Sequence, residues 1–189
     1  FRLSSINQKL NLLNNLGVDF IVTKKFDKTF SKTKSINFIK NILSKKLKAR
    51  FIFVSNNFRF GNKREGDVKF LIQNEAKYDY QVIKPKPLLV NKKIVSSSLI
   101  RSYIEKGFLE RANKLLNKKW SIEGIVQKGR QVGKKVGFPT CNIDIKDYIL
   151  AKPGVYAVKV LLKNNSKYIQ WIANLGYRPS FKQKKILLE

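Results

Sequence analysis

Residues 129–142 read GRQVGKKVGFPTCN. Three glycines, Gly129, Gly133 and Gly137, punctuate this stretch, and Arg130, Lys134 and Lys135 stand between them. Glycine lets the backbone turn successive N–H groups toward an anion at close range, and the cations add field. Thr140 then offers a hydroxyl and Asn142 an amide oxygen, two hard oxygen ligands of the kind that Mg²⁺ takes beside phosphates. Taken alone, the glycines fit an ordinary hairpin loop with surface lysines equally well.

The flanks tell which architecture carries the loop. Upstream, Trp120, Ile122, Gly124 and Val126 alternate; downstream, Tyr156, Val158, Val160 and Leu162 do the same, and residues 168–173 form another strand candidate. No helical period follows Leu116, so this half is expected to be antiparallel β and to close as a barrel. A boundary near Asn117 divides the chain into domains 1–117 and 118–189.

The first half has a different rhythm. Ser4 and Ser5 precede Ile6, Leu10, Leu13 and Leu16 at helical spacing, with Gly17 as a stop. Residues 18–22 read as a short strand, Ser35 as the cap of a helix burying Ile36, Ile39, Leu43 and Leu47, and residues 51–54 as a buried strand. Strand, helix and strand in that order predict a right-handed βαβ unit. Asp67 is expected to cap a helix carrying Val68, Leu71 and Ile72, and residues 80–83 to form a strand. Ser96, Ser97 and Ser98 open a helix with Ile100 and Ile104 inward, ended by Gly107, before a short helix over 109–116. This half is α/β.

Composition narrows the chemistry. In 189 residues there is one cysteine, Cys141, and no histidine, which rules out an internal disulfide, a CxxC metal site and His-based triads within this chain. Carboxylates, hydroxyls, amides and cations remain, an inventory suited to Mg²⁺-assisted phosphoryl transfer. A net charge of +28 raises nucleic-acid binding. The lysines come as scattered pairs, however, neither one block nor one helix face. With 43% hydrophobic residues the chain can bury a core, and no run approaches the ~20 apolar residues that span a bilayer. We expect a soluble, cytoplasmic protein. Phe1 is not a methionine and Glu189 ends an apolar run, so both ends read as cut.

The order GRQVGKKVGFPTCN, AKPGVYAVKV and ANLGYRPSF, spread over residues 120–189, resembles the riboflavin kinase domain, whose pattern is close to GxxxGRxLGFPTAN, GVYAV and ANIGxRPTF. Lys134 replaces the family's Arg, which keeps charge and loses bidentate phosphate geometry, and Cys141 replaces its Ala. The resemblance implies that Thr140 and Asn142 hold the metal-nucleotide, and that Gly129, Gly133, Lys134 and Gly137 cradle phosphate. It also implies a glutamate from a following strand as the base on the riboflavin hydroxyl, a role that falls to Glu189.

Two further stretches, FIFVSNNFRFGNKREGD (51–67) and VSSSLIR (95–101), resemble the FMN adenylyltransferase module of bacterial bifunctional FAD synthetases. That module reads vvGxDFRFGxxxxGD and ISSTxIR, with Ser55 here in place of a glycine. The resemblance implies an α/β nucleotidyltransferase-like fold with a Rossmann-type parallel sheet. Nucleotide phosphates would lie on Ser96, Ser97, Ser98 and Arg101, with Asn57 bordering the site. Hydroxyls and free N–H groups at a helix N-terminus suit a phosphate, although an ordinary serine cap would use them as well. The family's HxGH element would lie upstream of Phe1.

These readings together imply a riboflavin kinase and FMN adenylyltransferase using riboflavin, FMN and ATP with Mg²⁺, and no specific nucleic-acid or membrane partner. Two rivals stand beside it. One is a basic nucleic-acid-binding protein, whose binding would weaken steeply with salt. The other is a nucleotidyltransferase of the same superfamily with another substrate. Flavin fluorescence titration with Mg-ATP separates all three.

Overall fold

The computed structural model describes residues 1–127, 137, 140–163, 165–177 and 186–189. Ser5 opens the first helix, α1 (Ile6–Asn15), through a full capping box. Its hydroxyl accepts from the Gln8 N–H at 3.0 Å, and the Gln8 side-chain oxygen accepts from the Ser5 N–H at 2.8 Å. The leucine period misjudges the inward face: Gln8 is buried, whereas Ile6 is exposed and Leu16 is 79% exposed. Residues 18–22 form no strand, because nothing among the described residues pairs with them, and Phe20 is 88% exposed. The βαβ unit expected between 18–22 and 51–54 therefore does not form.

A single turn, α2 (Lys28–Ser31), is capped by Asp27, whose carboxylate accepts from Phe30 N–H at 2.7 Å. The next helix, α3 (Ser35–Asn37), runs on as a π-helical stretch, Phe38–Lys46. Ser35 is its first residue rather than its cap; its buried N–H is donated to the Glu65 carboxylate at 2.7 Å. Strand β1 (Phe51–Phe53) buries one side only, with Phe51 and Phe53 facing solvent. The short strands β2 (Arg59–Phe60) and β3 (Gly66–Asp67) pair antiparallel. Asp67 caps α4 (Val68–Gln73) through Phe70 N–H at 2.8 Å, as its position predicts. After α5 (Glu75–Tyr78), strand β4 (Gln81–Ile83) lies parallel to β1. A hairpin, β5 (Leu89–Val90) and β6 (Lys93–Ile94), turns on Asn91 and Lys92, both at positive φ, which matches the twist of a two-residue hairpin loop.

Ser96 caps α6 (Ser97–Glu105), accepting from Leu99 N–H at 3.2 Å, and Gly107 at φ +80° follows its end. Helix α7 (Leu109–Leu116) stops at Asn117, which adopts the left-handed conformation. From there the described elements are all strands: β7 (Val126–Gln127), β8 (Asn142–Asp144), β9 (Gly154–Val160), β10 (Ile169–Tyr177) and β11 (Ile186–Leu188). They form one antiparallel sheet in the order β7-β8-β11-β10-β9, with β7 and β9 at its edges among the described residues.

The chain packs as two compact units. The first comprises Phe1–Ile21 and Val95–Glu189. Its core joins Ile100 and Ile104 of α6 and Ala112 of α7 with Ile145, Tyr148, Ile149, Ala151 and Leu175, and Trp120, Ile143 and Leu188 pack against it. The opening residues are built into this unit. Arg2 bridges Tyr148 in parallel, with Arg2 N–H on the Asp147 carbonyl at 2.9 Å and Ile149 N–H on the Arg2 carbonyl at 2.8 Å. The Trp120 indole N–H is donated to the Leu3 carbonyl at 2.9 Å.

The second unit, Val22–Ile94, is built around Ile39, Phe60, Leu71 and Tyr80. Phe58 stacks on Phe60 with centroids 5.6 Å apart, and Phe38 and Phe70 tilt against the same ring. Gly61 at φ +79° and ψ 178° lets the hairpin pass Ser35, since a Cβ there would sit 2.8 Å from the Ser35 backbone nitrogen.

Candidate functional site

Strand register brings together residues that are far apart in sequence. Leu188 of β11 pairs with Ile143 of β8 on one side and Leu175 of β10 on the other, and all three belong to the core. Cross-strand partners share a face, and successive residues alternate between faces. The neighbouring row therefore lies on the opposite face of the sheet. There Glu189 N–H is donated to the Asn174 carbonyl at 3.0 Å, and Asn174 N–H to the Glu189 carbonyl at 2.7 Å. Continuing the β8–β11 register by one residue sets Glu189 opposite Asn142, and Asn142 pairs in turn with Gln127 of β7. Gln127, Asn142, Glu189 and Asn174 thus form one polar row across four adjacent strands.

Within this row Asn142 is buried at 6% exposure, Glu189 is half-buried, and Gln127 and Asn174 are exposed. Asp144, two residues beyond Asn142, shares its face and accepts from the Lys146 N–H at 3.0 Å. Thr140, two residues before Asn142, is exposed. Gly137 holds a left-handed φ of +84° with open space where a Cβ would stand. Gly129, Gly133 and Lys134 lie outside the described residues. The row combines neutral amides with a carboxylate. Such a face can offer uncharged hard oxygens to a divalent cation and a proton acceptor one strand away.

Sequence motifs alone do not mark Asn174, which stands within ANLGYRPSF, or Gln127 and Asp144. Burial of Ala173 and Leu175 fixes the phase of β10 and turns Asn174 to the polar face. That alternation was visible in the sequence, whereas the strand order that sets Asn174 beside Glu189 was not.

The serine-rich helix start has another geometry. Ser96, Ser97 and Ser98 are exposed, with the Ser96 hydroxyl engaged as the cap of α6. Arg101, one turn on, donates from Nε to the Phe1 carbonyl at 3.2 Å. Asn57 belongs to the second unit, in an exposed turn where its side-chain oxygen accepts from the Ser55 hydroxyl at 2.9 Å. The serine that replaces the family's glycine thus holds the neighbouring amide.

A profile for FAD synthetase matches residues 1–99, more than half of the chain. The chain belongs to the FAD synthetase family. A second profile, for riboflavin kinase, matches residues 116–189 of this FAD synthetase family member. It is 38% identical over 185 residues to the bifunctional riboflavin kinase/FMN adenylyltransferase of Buchnera aphidicola subsp. Schizaphis graminum, covering 97% of this chain and 59% of the relative. Against the enzyme of the same name from Escherichia coli (strain K12) identity is 33%, over 95% of this chain and 57% of the relative. The chain thus spans about three fifths of the length of these curated relatives. Among solved structures, a macrolide-efflux protein from Streptococcus pneumoniae superposes with a TM-score of 0.80. It is 23% identical, covering 98% of this chain and 59% of that one, a likeness of fold alone.

Proposed function

We propose that the protein makes flavin cofactors in two steps, phosphorylating riboflavin to FMN and adenylylating FMN to FAD, with ATP as the donor in both. The polar row carries this reading. It sets Glu189, read as the proton acceptor, one strand from Asn142, read as a metal-nucleotide ligand.

In the first step the terminal ribityl hydroxyl of riboflavin attacks the γ-phosphorus of ATP. A new P–O bond forms, the bond from the γ-phosphorus to the β-bridging oxygen breaks, and ADP leaves. Glu189 accepts the hydroxyl proton. Gly129, Gly133, Lys134 and Gly137 cradle phosphate through backbone N–H groups and charge. Thr140 and Asn142 fit a Mg²⁺ site, because their neutral oxygens suit a small hard cation that shares its remaining positions with phosphate and water. When bound, Mg²⁺ offsets the charge that develops on the transferring phosphoryl group.

In the second step an FMN phosphate oxygen attacks the α-phosphorus of ATP and pyrophosphate leaves. Ser96, Ser97, Ser98 and Arg101 hold nucleotide phosphates, and the motif that contains Asn57 serves the same step. We assign adenylyl transfer to residues 1–117, as part of an α/β nucleotidyltransferase fold with a Rossmann-type sheet, and the kinase to residues 118–189, as part of an antiparallel β-barrel. A cytoplasmic location follows from the substrates, and no nucleic-acid or membrane partner is needed.

Riboflavin fluorescence, titrated with and without Mg-ATP, tests the kinase half in the intact protein. Saturable binding that requires the nucleotide is expected. Thr140→Ala is expected to abolish Mg²⁺-dependent FMN formation and to leave FAD formation from supplied FMN unchanged. Full kinase activity in that variant would sink the assignment.

A further inference from the structure

We propose that Asn174 is a positioning residue for the kinase step, its carboxamide orienting the Glu189 carboxylate toward the riboflavin hydroxyl. This rests on the reading of Glu189 as the proton acceptor.

Three observations carry it. Asn174 and Glu189 exchange both backbone hydrogen bonds, at 2.7 and 3.0 Å, so they form a directly opposed pair whose relative position is fixed by the main chain. Their side chains leave the same face, and opposed Cβ atoms in such a pair stand about 5 Å apart, within reach of a hydrogen bond between a carboxamide and a carboxylate. The outward positions of β10 then change character along the strand. Ile172 is largely exposed, Asn174 follows, and Gly176 has no side chain to crowd it; a Cβ there would stand 4.0 Å from the Asn174 amide oxygen. Asn174 is therefore the outward residue of β10 set directly opposite Glu189, and space lies open beside it.

A glutamate has three rotatable side-chain bonds, so its carboxylate can take many orientations relative to its backbone. A neutral carboxamide donor restricts that sampling without adding a charge to compete for phosphate or cation. Positioning of this kind acts on the reacting geometry, so it appears in kcat and leaves ground-state binding alone.

The test is a double-mutant cycle on the intact protein, measuring FMN formation under saturating and limiting substrate. Glu189→Gln is made first, and it is expected to lose most of kcat. A fully active Glu189→Gln overturns the reading of Glu189 as the base before Asn174 is touched. Given that loss, Asn174→Ala is expected to lower kcat on the order of tenfold, with KM for riboflavin and for Mg-ATP within about twofold. Combining the two is expected to add nothing to the loss from Glu189→Gln alone. Asn174→Gln, which keeps a carboxamide on a longer stem, is expected to recover part of kcat. FAD formation from supplied FMN reports that each variant is folded. An unchanged kcat in Asn174→Ala, a loss confined to KM, or multiplicative losses in the double variant overturns the role of Asn174 while the role of Glu189 stands.

Discussion

The Tyr148 hydroxyl and the Gln8 side-chain oxygen meet at 3.1 Å in the interior of the first unit. Around that point the Tyr148 hydroxyl also accepts from Glu123 N–H at 3.1 Å, and Gln8 Nε2 is donated to the carbonyl and hydroxyl of Ser121 at 3.0 and 3.1 Å. One cluster therefore joins α1, the segment after α7 and the core beside β8. A glutamine is the buried residue of α1 because its amide satisfies these groups, which a leucine would leave unpaired.

Tyr148→Phe removes the hydroxyl and leaves Glu123 N–H without its acceptor. The expected loss of stability is about 1–3 kcal/mol, read as a lower urea midpoint with an unchanged denaturant slope. Gln8→Leu is expected to cost at least as much, although it raises the apolar character of the helix. A neutral result for Gln8→Leu would show that packing, and not the polar cluster, holds α1 in place.

Tyr80 predicts a pH dependence in the second unit. Its hydroxyl is buried and donates to the Leu71 carbonyl at 2.7 Å. Burial first, and then the charges of Glu75 and Tyr78, push its pKa from 10.0 up to about 12. Folding thus favours the protonated phenol. Its contribution is complete below pH 10 and is lost as pH rises from 10 toward 12, because the unfolded chain ionises first. Urea midpoints between pH 8 and pH 11.5 are expected to fall less steeply for Tyr80→Phe than for the parent. Parallel curves would remove Tyr80 as the cause.

Gly61 lies in a backbone region that essentially only glycine visits, and a Cβ there meets the Ser35 backbone at 2.8–2.9 Å. Gly61→Ala is expected to destabilise the second unit by at least about 2 kcal/mol. Hydrogen exchange at β2 and α4 is expected to accelerate, while amides of β9 and β10 keep their protection.

At Thr140 the chemistry asks for an oxygen rather than a shape. Thr140→Ser is expected to retain Mg²⁺-dependent FMN formation within about tenfold. The isosteric Thr140→Val is expected to lose it, as is the parent protein once Mg²⁺ is chelated. An active valine variant would mean that the hydroxyl does not hold the metal-nucleotide.

Local features were the legible ones. Ser5, Asp67 and Ser96 cap the helices that they precede because capping needs only the residues within one turn. The alternation of Tyr156, Val158 and Val160 is the inward face of β9 for the same reason. Residues 18–22 have the composition of a strand, but a strand also needs a partner, and pairing is settled far away in the chain. The π-helical stretch Phe38–Lys46 was equally hidden, since its apolar spacing passes for an ordinary helix. At the candidate site the sequence offered Thr140, Asn142 and Glu189 through motif order alone. Only the β8-β11-β10 order shows that Asn142, Glu189 and Asn174 share a row.

The discontinuity of the first unit bears on how the protein is born. Residues 1–21 are synthesised before the second unit, yet Trp120, Ser121 and Tyr148, which hold them, are synthesised only after the whole of it. At ordinary elongation rates that interval is on the order of ten seconds. Through it α1 lacks the contacts from Ser121 and Tyr148 that hold it, and a helix of 10 residues is too short to persist on its own in water. Residues 1–21 must therefore stay unclaimed until the later strands arrive, and chaperone demand is expected to be greatest in that window.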